Sequence, residues 1–582
     1  MGWVDRKWVQ IILIWAVIAV ALVITALRAG GAPVVTGDDA MRLVGAIDLF
    51  HGQTWFDTTQ YRDNTPFGAP MHWSRLVDAP LVLLMAIFTP FAHEAAPYWA
   101  AFVWPLLVLL AVVALLAELT ERVAGPAARF PALALLALAV AVYTEFAPGR
   151  VDHHNVQIAL TLALILASME GRNSVVWAAI AGILAATGLA IGTEFLPSAA
   201  AALICFPLYW LVQPVRNRPQ LLAFVGSFPV ALILHLVATS PVQNWFVPAC
   251  DALSSTYVVT GMLYGAAMLV AALIGPALRH PALRLLALML LGVATLFVVL
   301  WLFPQCRGGP YGDVDADLAA ILFPDIGEAQ PVWIWAANMR HQLALVVMPV
   351  SGLAAVLMVV ALAPKDQRWR WLVLAGFCLA LFAVFCLQVR GFRLVSVAVL
   401  PGPAWLVARA WAWFRQRQTV GSAATAGLTF LAFTGAVHWS LFTYAYAFVP
   451  QEAAEETVDD WRACGLGPAY EQLAALPPAR LMSYLLIGPK LLLETPHSVV
   501  SAGYHRNEDG LRDMVRFYGG GEAEARAVAE ERGLEYLVFC RGIPPNQALA
   551  GVPDFKEPSW PWLVPVSAPD ADLQIYAIDL ER

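Results

Sequence analysis

The chain has 582 residues, 60% of them hydrophobic and 13% charged, with a net charge of -7; its mean hydropathy is +0.67. Soluble domains carry about a quarter charged residues, so this composition excludes a wholly soluble protein and belongs to a membrane protein. The negative charge averages a nearly uncharged hydrophobic part with an acidic C-terminal tail, and no basic stretch points to nucleic acid as a partner.

The chain opens with MGWVDRKW, which places Arg6 and Lys7 before the apolar run Ile11 to Leu27. That run is long enough to span and lacks a clear small-residue cleavage site, so it reads as a retained first helix. A spanning helix needs about 20 mostly apolar residues. Candidate runs lie near 10–29, 99–117, 130–147, 154–169, 175–192, 198–213, 221–240, 257–275, 285–303, 341–363, 371–388, 394–412 and 424–448, which predicts about thirteen spans. A further run, Ala79 to Ala92, is short and interrupted by Pro90, and it reads as a helix lying in the membrane surface.

Charge tests this reading. With a cytoplasmic N-terminus, alternate loops fall inside and carry Arg122 with Arg129, Arg216 with Arg218, Arg279 with Arg284, Lys365 with Arg368 and Arg370, and Arg415 with Arg417. The positive-inside rule is then met at every basic short loop, whereas counting Ala79 to Ala92 as a crossing reverses it. The same topology puts outside the long loop 30–98, the turn around Asp152, two cysteine-bearing loops and everything after about residue 449. Residues 1–448 form a membrane domain in this reading, and 449–582 a small external α/β domain with a helical EAEARAVAEERG, a strand-like LEYLVFC and a final alternating DLQIYAIDL. Gly519 to Gly521 reads as a loop.

Of seven cysteines, Cys205, Cys378 and Cys386 lie in apolar runs, and Cys250, Cys306, Cys464 and Cys540 in polar segments. If those segments are periplasmic, disulfides can form, pairing Cys250 with Cys306 between neighbouring loops and Cys464 with Cys540 in the tail; free thiols are the alternative.

Four motifs carry chemistry. The first, Gly37-Asp38-Asp39-Ala-Met-Arg42, follows the first span; its carboxylates can hold a hard cation or act as a base, or cap the next helix. The second, Gly149-Arg150-Val-Asp152-His153-His154-Asn155, sets a carboxylate and two imidazoles beside an arginine at a membrane face, where ionisable residues tend to be functional; loop-end capping is the competing account. The third runs from Cys306 to Pro331 and contains Phe323-Pro-Asp325-Ile326-Gly-Glu328-Ala-Gln330; Glu328 can complete a cation site, bind an acceptor or simply be solvated. The fourth, Gln388-Val-Arg390-Gly-Phe-Arg393 up to Pro401, offers arginines that can bind phosphate in a bidentate manner or snorkel to the interface. Glu194, at the external end of its helix pair, is a minor candidate. In the tail, Thr495-Pro-His497 and Tyr504-His505-Arg506-Asn507 can touch an acceptor, but His497 and His505 read first as satisfied surface histidines.

These residues together resemble the catalytic subunit of oligosaccharyltransferases and, more broadly, the C-type membrane glycosyltransferases. Asp38 and Asp39 stand where that family has its first-loop acidic residue, followed by Met41-Arg42-Leu43-Val44, which is similar to the MRLV of some archaeal members. Asp152-His153-His154 resembles the second acidic motif, Ile326-Gly-Glu328-Ala-Gln330-Pro331 is similar to the eukaryotic SVSEHQP stretch, and Arg393 resembles the arginine that meets the donor phosphate. The tail departs from the family in having no WWDYG, so the acceptor is open. The resemblance implies a polytopic α-helical fold of about thirteen spans with a large first external loop and a C-terminal external domain. It implies sugar transfer from a polyprenyl-phosphate or pyrophosphate donor to a glycan, lipid or protein acceptor at the external face of a bacterial inner membrane, by a monomer or small complex. Asp38, Asp39, Asp152 and Glu328 are then the expected catalytic carboxylates. Arg393, Arg390, Arg150 and His153 are expected to face the donor phosphate, and Asp39, Asp152, His154 and Glu328 to hold a divalent cation, Mn or Mg. The rival reading, a transporter or flippase, expects sites near the bilayer midplane and inverted repeats, and neither is visible in the sequence.

Overall fold

The computed structural model describes residues 6–28, 37–322, 327–338, 343–447, 464, 468–541 and 557–582. Phe323 to Ile326 of the third motif lie outside them. The chain divides into two compact units, Met1–Pro33 with Tyr98–Asp313 and Glu328–Val449, and Val34–Pro97 with Val314–Gly327 and Pro450–Arg582. The second unit does not follow the linear boundary near residue 448: most of the first loop clusters with the tail.

The first unit is helical. Among the described residues of the whole chain, eight helices are long and apolar enough to cross a membrane, or up to ten if each of two bent pairs is one span. The sequence expectation was about thirteen. The difference lies in the remaining expected runs: helix His154–Gly171 is not among the eight, Pro126–Ala137 and Val175–Ile191 are shorter apolar helices, and the pairs Val389–Ala398 with Pro401–Arg417 and Val420–Ala432 with Gly435–Tyr444 bend by 40° and 76°. Pro401, which cannot donate a backbone bond, starts the second half of one pair. At the other bend, Ala436 N–H donates to Leu138 O at 2.7 Å, just beyond the end of helix Pro126–Ala137. Two broken helices thus satisfy each other's backbone groups, as an apolar medium requires. Gly435 permits this approach, since a Cβ there would meet Ala139 Cα and Leu138 O at 3.1 Å.

Lys7 pairs with Glu118 and with Glu121 at 3.4 Å, Arg129 with Glu121 at 3.0 Å, and Arg122 with Glu118 at 2.7 Å and Glu170 at 3.1 Å. Arg370 donates to Arg122 O at 2.9 Å. These ion pairs gather the basic loop ends expected on one side of the membrane. A disulfide joins Cys250 and Cys306, with Cα atoms 5.4 Å apart.

The second unit contains an antiparallel pair, β1 (Thr59–Gln60) and β2 (Ala69–Pro70), and a five-stranded sheet of β3 (Arg480–Ser483), β4 (Ser498–Val499), β5 (Tyr536–Cys540), β6 (Leu563–Pro565) and β7 (Leu573–Ile578) in the order β4-β3-β5-β7-β6. β3 is parallel to β4 and β5, and β7 is antiparallel to β5 and β6. Helices Glu508–Gly519 and Gly521–Arg532 join through Gly520, so the glycine run is a helix junction rather than an open loop. A disulfide joins Cys464 to Cys540. His497 is fully buried, not on the surface: its Nδ1 accepts from Ala479 N–H at 3.1 Å and its Nε2 donates to Leu473 O at 2.7 Å.

The first loop is pinned to the tail by buried polar groups. Arg62 donates to Leu492 O and Thr495 O at 2.6 and 2.9 Å, and Arg532 donates to Asp513 Oδ2, Asn64 Oδ1 and Thr65 O at 2.6, 2.9 and 2.8 Å. Asp63 accepts from Asn64 N–H and Asn507 Nδ2, both at 2.9 Å. Burial pushes the Asp63 carboxyl up to about 7 against these hydrogen bonds.

Two outcomes are expected. Arg532→Ala, which takes the donor from the buried Asn64 Oδ1 and Thr65 O, lowers the stability of this unit by about 3 kcal/mol, read as earlier unfolding and as protease cleavage within residues 57–70. For Asp63 the folded value lies above the unfolded one near 3.9, so its stabilising contribution is complete below about pH 4 and is lost as pH rises through about 7. The protection factors of β3 and β5, corrected for intrinsic exchange, should therefore fall between about pH 4 and 7, and Asp63→Asn should flatten that dependence.

Candidate functional site

The candidate site lies in the first unit at helix ends. Helix His154–Gly171 begins directly after Asp152-His153. The turn before it is set by Gly149, whose φ of +98° suits glycine and whose N–H donates to Ala101 O at 3.0 Å. Asn155 Nδ2 holds Arg150 O at 2.9 Å, fixing the chain between the two motif halves.

Asp152 receives both histidines. His153 Nδ1 donates to its Oδ1 at 2.6 Å, and His154 Nε2 lies 3.2 Å from its Oδ2. His153 Nε2 also meets Glu194 Oε2 at 3.3 Å. Burial would lower the His153 pKa, but Asp152 and Glu194 override it and raise it to about 10, so the ring is held as the imidazolium. Gln157 Nε2 donates to Glu194 Oε2 at 3.5 Å. Glu194 comes from the turn Thr193–Phe195, which is packed closely onto its neighbours: a Cβ on Gly188 would strike the Phe195 ring at 2.0 Å, and one on Gly192 would meet Glu194 Oε2 at 2.7 Å.

The arginines complete the cluster. Arg393 Nη2 donates to Glu328 Oε2 at 2.8 Å and its Nε to Glu145 Oε1 at 3.0 Å. Arg150 Nη2 donates to Glu145 Oε2 at 2.8 Å. Arg390 lies 3.6 Å from Glu194 and 3.9 Å from Glu328. The turn carrying Glu328 is tied to the arginine segment by Val389 N–H, which donates to Gln330 O at 2.9 Å. A cavity is lined by His154, Gln157, Glu194, Gln388, Arg390 and Arg393. Arg393 Nη1 and Arg390 Nε are buried and make no hydrogen bond among the described residues.

The structure thus brings together Arg150, Asp152, His153, His154, Glu328, Arg390 and Arg393. Asp38 and Asp39 belong to the second unit, in the first turn of helix Asp38–Phe50. The helix cap there is Gly37, so neither aspartate caps it; both add negative charge at its N-terminal end, Asp39 is buried, and Asp38 accepts from Tyr504 Oη at 3.0 Å. Glu145 escaped the sequence reading, which absorbed it into the apolar run 130–147. A signal existed: Thr144-Glu145-Phe146 repeats the tripeptide Thr193-Glu194-Phe195, and both form short 3-10 turns that deliver a glutamate to this cluster.

Asp152, His153 and His154 each offer one ligand atom, all within 4.8 Å of one another. Two ligands about 2.1 Å from one ion stand roughly 3.0–3.4 Å apart, and the 3.2 Å between Asp152 Oδ2 and His154 Nε2 matches that edge. A mixed nitrogen and oxygen set suits manganese or zinc better than magnesium, which favours oxygen alone.

No protein-family model and no curated protein sequence matches the chain significantly. Solved structures do. The oligosaccharyltransferase AglB from Archaeoglobus fulgidus, in complex with an inhibitory peptide and a dolichol-phosphate, aligns with a TM-score of 0.67 at 13% identity over 93% of this chain and 70% of that one. An oligosaccharyltransferase from Archaeoglobus fulgidus tethered with an acceptor peptide containing the NVT sequon aligns with a TM-score of 0.68 at 14% identity over 99% and 75%. Its complex with Zn and sulfate gives 0.63 at 13% over 98% and 73%. The chain is a multi-pass membrane protein with the fold of the C-type membrane glycosyltransferases, in the form that the oligosaccharyltransferase catalytic subunit takes.

Proposed function

We propose that the protein is an integral-membrane glycosyltransferase that moves a sugar from a polyprenyl-phosphate or pyrophosphate donor to an acceptor on the external side of a bacterial inner membrane. The observation that carries this reading is the pair of arginines on one cavity, with Arg393 Nη1 buried and without a hydrogen bond among the described residues. A buried guanidinium N–H without a partner is costly, and an anionic oxygen is the acceptor that suits it best.

Glycosyl transfer builds negative charge on the departing phosphate, so cationic groups fixed beforehand stabilise the transition state more than the ground state. Arg393 and Arg390 take that role here, with His153 and Arg150 adding positive charge behind them. Asp152 and His154 are the residues that would hold a divalent cation, which supplies further neutralisation of the phosphate when bound. That AglB was solved with a dolichol-phosphate, and an oligosaccharyltransferase of the same organism with Zn and sulfate, agrees with the ligand classes this donor set suits. Glu328, with its side chain 36% exposed, is the carboxylate that leaves Arg393 and meets an acceptor in this reading. Asp38 and Asp39 stay the expected catalytic carboxylates of the first loop, as the family resemblance implies.

Incorporation of labelled sugar from a polyprenyl-phosphate pool into membrane glycans tests the reading. Asp152→Ala and Glu328→Ala should each lower transfer on the order of 100-fold at matched, folded expression; transfer that persists in both variants removes these residues from catalysis and favours transport. Chelation of divalent cations should abolish transfer and added Mn should restore it, whereas full activity in chelator removes the cation from the reaction.

A further inference from the structure

We propose that Glu145 is a positioning residue for donor binding, locking Arg393 and Arg150 into one rigid bracket so that Arg393 turns its remaining N–H edge toward the lipid phosphate. The inference rests on the reading of Arg393 as a phosphate ligand.

Each oxygen of Glu145 meets a different guanidinium, Arg393 Nε at 3.0 Å and Arg150 Nη2 at 2.8 Å. A guanidinium is planar, with its donors in a fixed fork. Holding Nε by Glu145 and Nη2 by Glu328 therefore fixes the plane of Arg393 and leaves Nη1 as the group still to be satisfied. The two glutamates are not equivalent. The Glu145 side chain is 9% exposed and that of Glu328 36%. Glu145 is the permanent anchor, and Glu328 is the partner that can be exchanged for a phosphate. Both oxygens of Glu145 are held by guanidinium groups, so it reaches the donor through Arg393 and does not serve as a base for the acceptor.

The positions explain why an anchor is needed. Arg393 belongs to the short helix Phe392–Ala398, which precedes a bend, and Arg150 to a turn without regular structure. Neither backbone alone restrains so long a side chain. Glu145, in the turn Thr144–Phe146, holds both at once.

The test is equilibrium binding of undecaprenyl phosphate to the purified full-length protein in detergent, with thermal unfolding recorded beside it. Glu145→Gln should weaken binding about tenfold or more, the scale of lost support behind a ligand-binding group. Glu145→Asp, which keeps the charge on a shorter arm, should fall between. The double variant Glu145→Gln with Arg393→Ala should bind no more weakly than Arg393→Ala alone, because coupled residues are not additive, and in transfer assays the acceptor KM should not move. Wild-type binding by Glu145→Gln, or additive losses in the double variant, overturns the proposal. If Glu145→Gln does not fold, the same cycle with Glu145→Asp decides: a loss present only when Arg393 is intact supports the bracket, and a loss independent of Arg393 sinks it. Failure of the wild type itself to bind undecaprenyl phosphate refutes the donor reading, an outcome distinct from failure of Glu145.

Discussion

The first unit depends on one constraint: ionised groups placed next to hydrocarbon have to pair with one another. An unpaired charge in such a place costs several kcal/mol even after relaxation. Glu145, Arg150, Asp152, Glu194, Glu328, Arg390 and Arg393 come from four separate stretches of chain, and each meets an opposite charge in the cluster. Because a carboxylate left without its arginine would be more costly than the pair, the cluster fixes the register of the helix ends that carry it. Buried ion pairs are weak evidence for stability, and their best attested use is to specify one arrangement.

Specification also needs close approach, which small residues provide. Ala178, Ala181, Gly182 and Ala185 are buried in helix Val175–Ile191. A Cβ on Gly182 would meet Phe224 O at 2.8 Å, so the backbone of helix Arg218–Thr239 sits directly against it. Without much hydrophobic drive between helices in lipid, such packing is what holds them. At one end of that helix Gly188 admits the Phe195 ring and Gly192 clears space beside Glu194. Packing in the membrane region and geometry at the site are therefore the same requirement.

This division explains what could be read from the residues alone. Hydropathy marks most helices because an apolar medium imposes length and composition together, and the Asp-His-His motif stands out because imidazoles and a carboxylate beside hydrocarbon are rare. Breaks are harder to see. The bends at Val399–Leu400 and Phe433–Thr434 leave hydropathy almost unchanged, so the continuous runs 394–412 and 424–448 hide them. Glu145 vanishes for the same reason, since one glutamate hardly lowers the average of a long apolar window. The docking of Asp63 and Asn64 onto Asn507 and Arg532 is invisible for another reason: the partners lie more than 400 residues apart and no periodicity links them.

Charge balance connects the cluster to the proposed chemistry. Glu145, Asp152, Glu194 and Glu328 face Arg150, Arg390 and Arg393, and His153, with a carboxylate at each ring nitrogen, supplies the fourth positive group. Such a set is near neutral without a ligand, which is why it can be buried at all. An arriving lipid phosphate adds negative charge that the paired arginines cannot absorb unless a carboxylate lets go or positive charge is added. In the proposed reaction both happen: Glu328, the most exposed of the four, turns from Arg393 toward the acceptor, and Asp152 with His154 would hold the divalent cation. A cluster built to be neutral when empty is then also one that can sense the donor, because phosphate and Glu328 compete for the same guanidinium. In the proposed reaction the carboxylate freed by that exchange is the one that meets the acceptor.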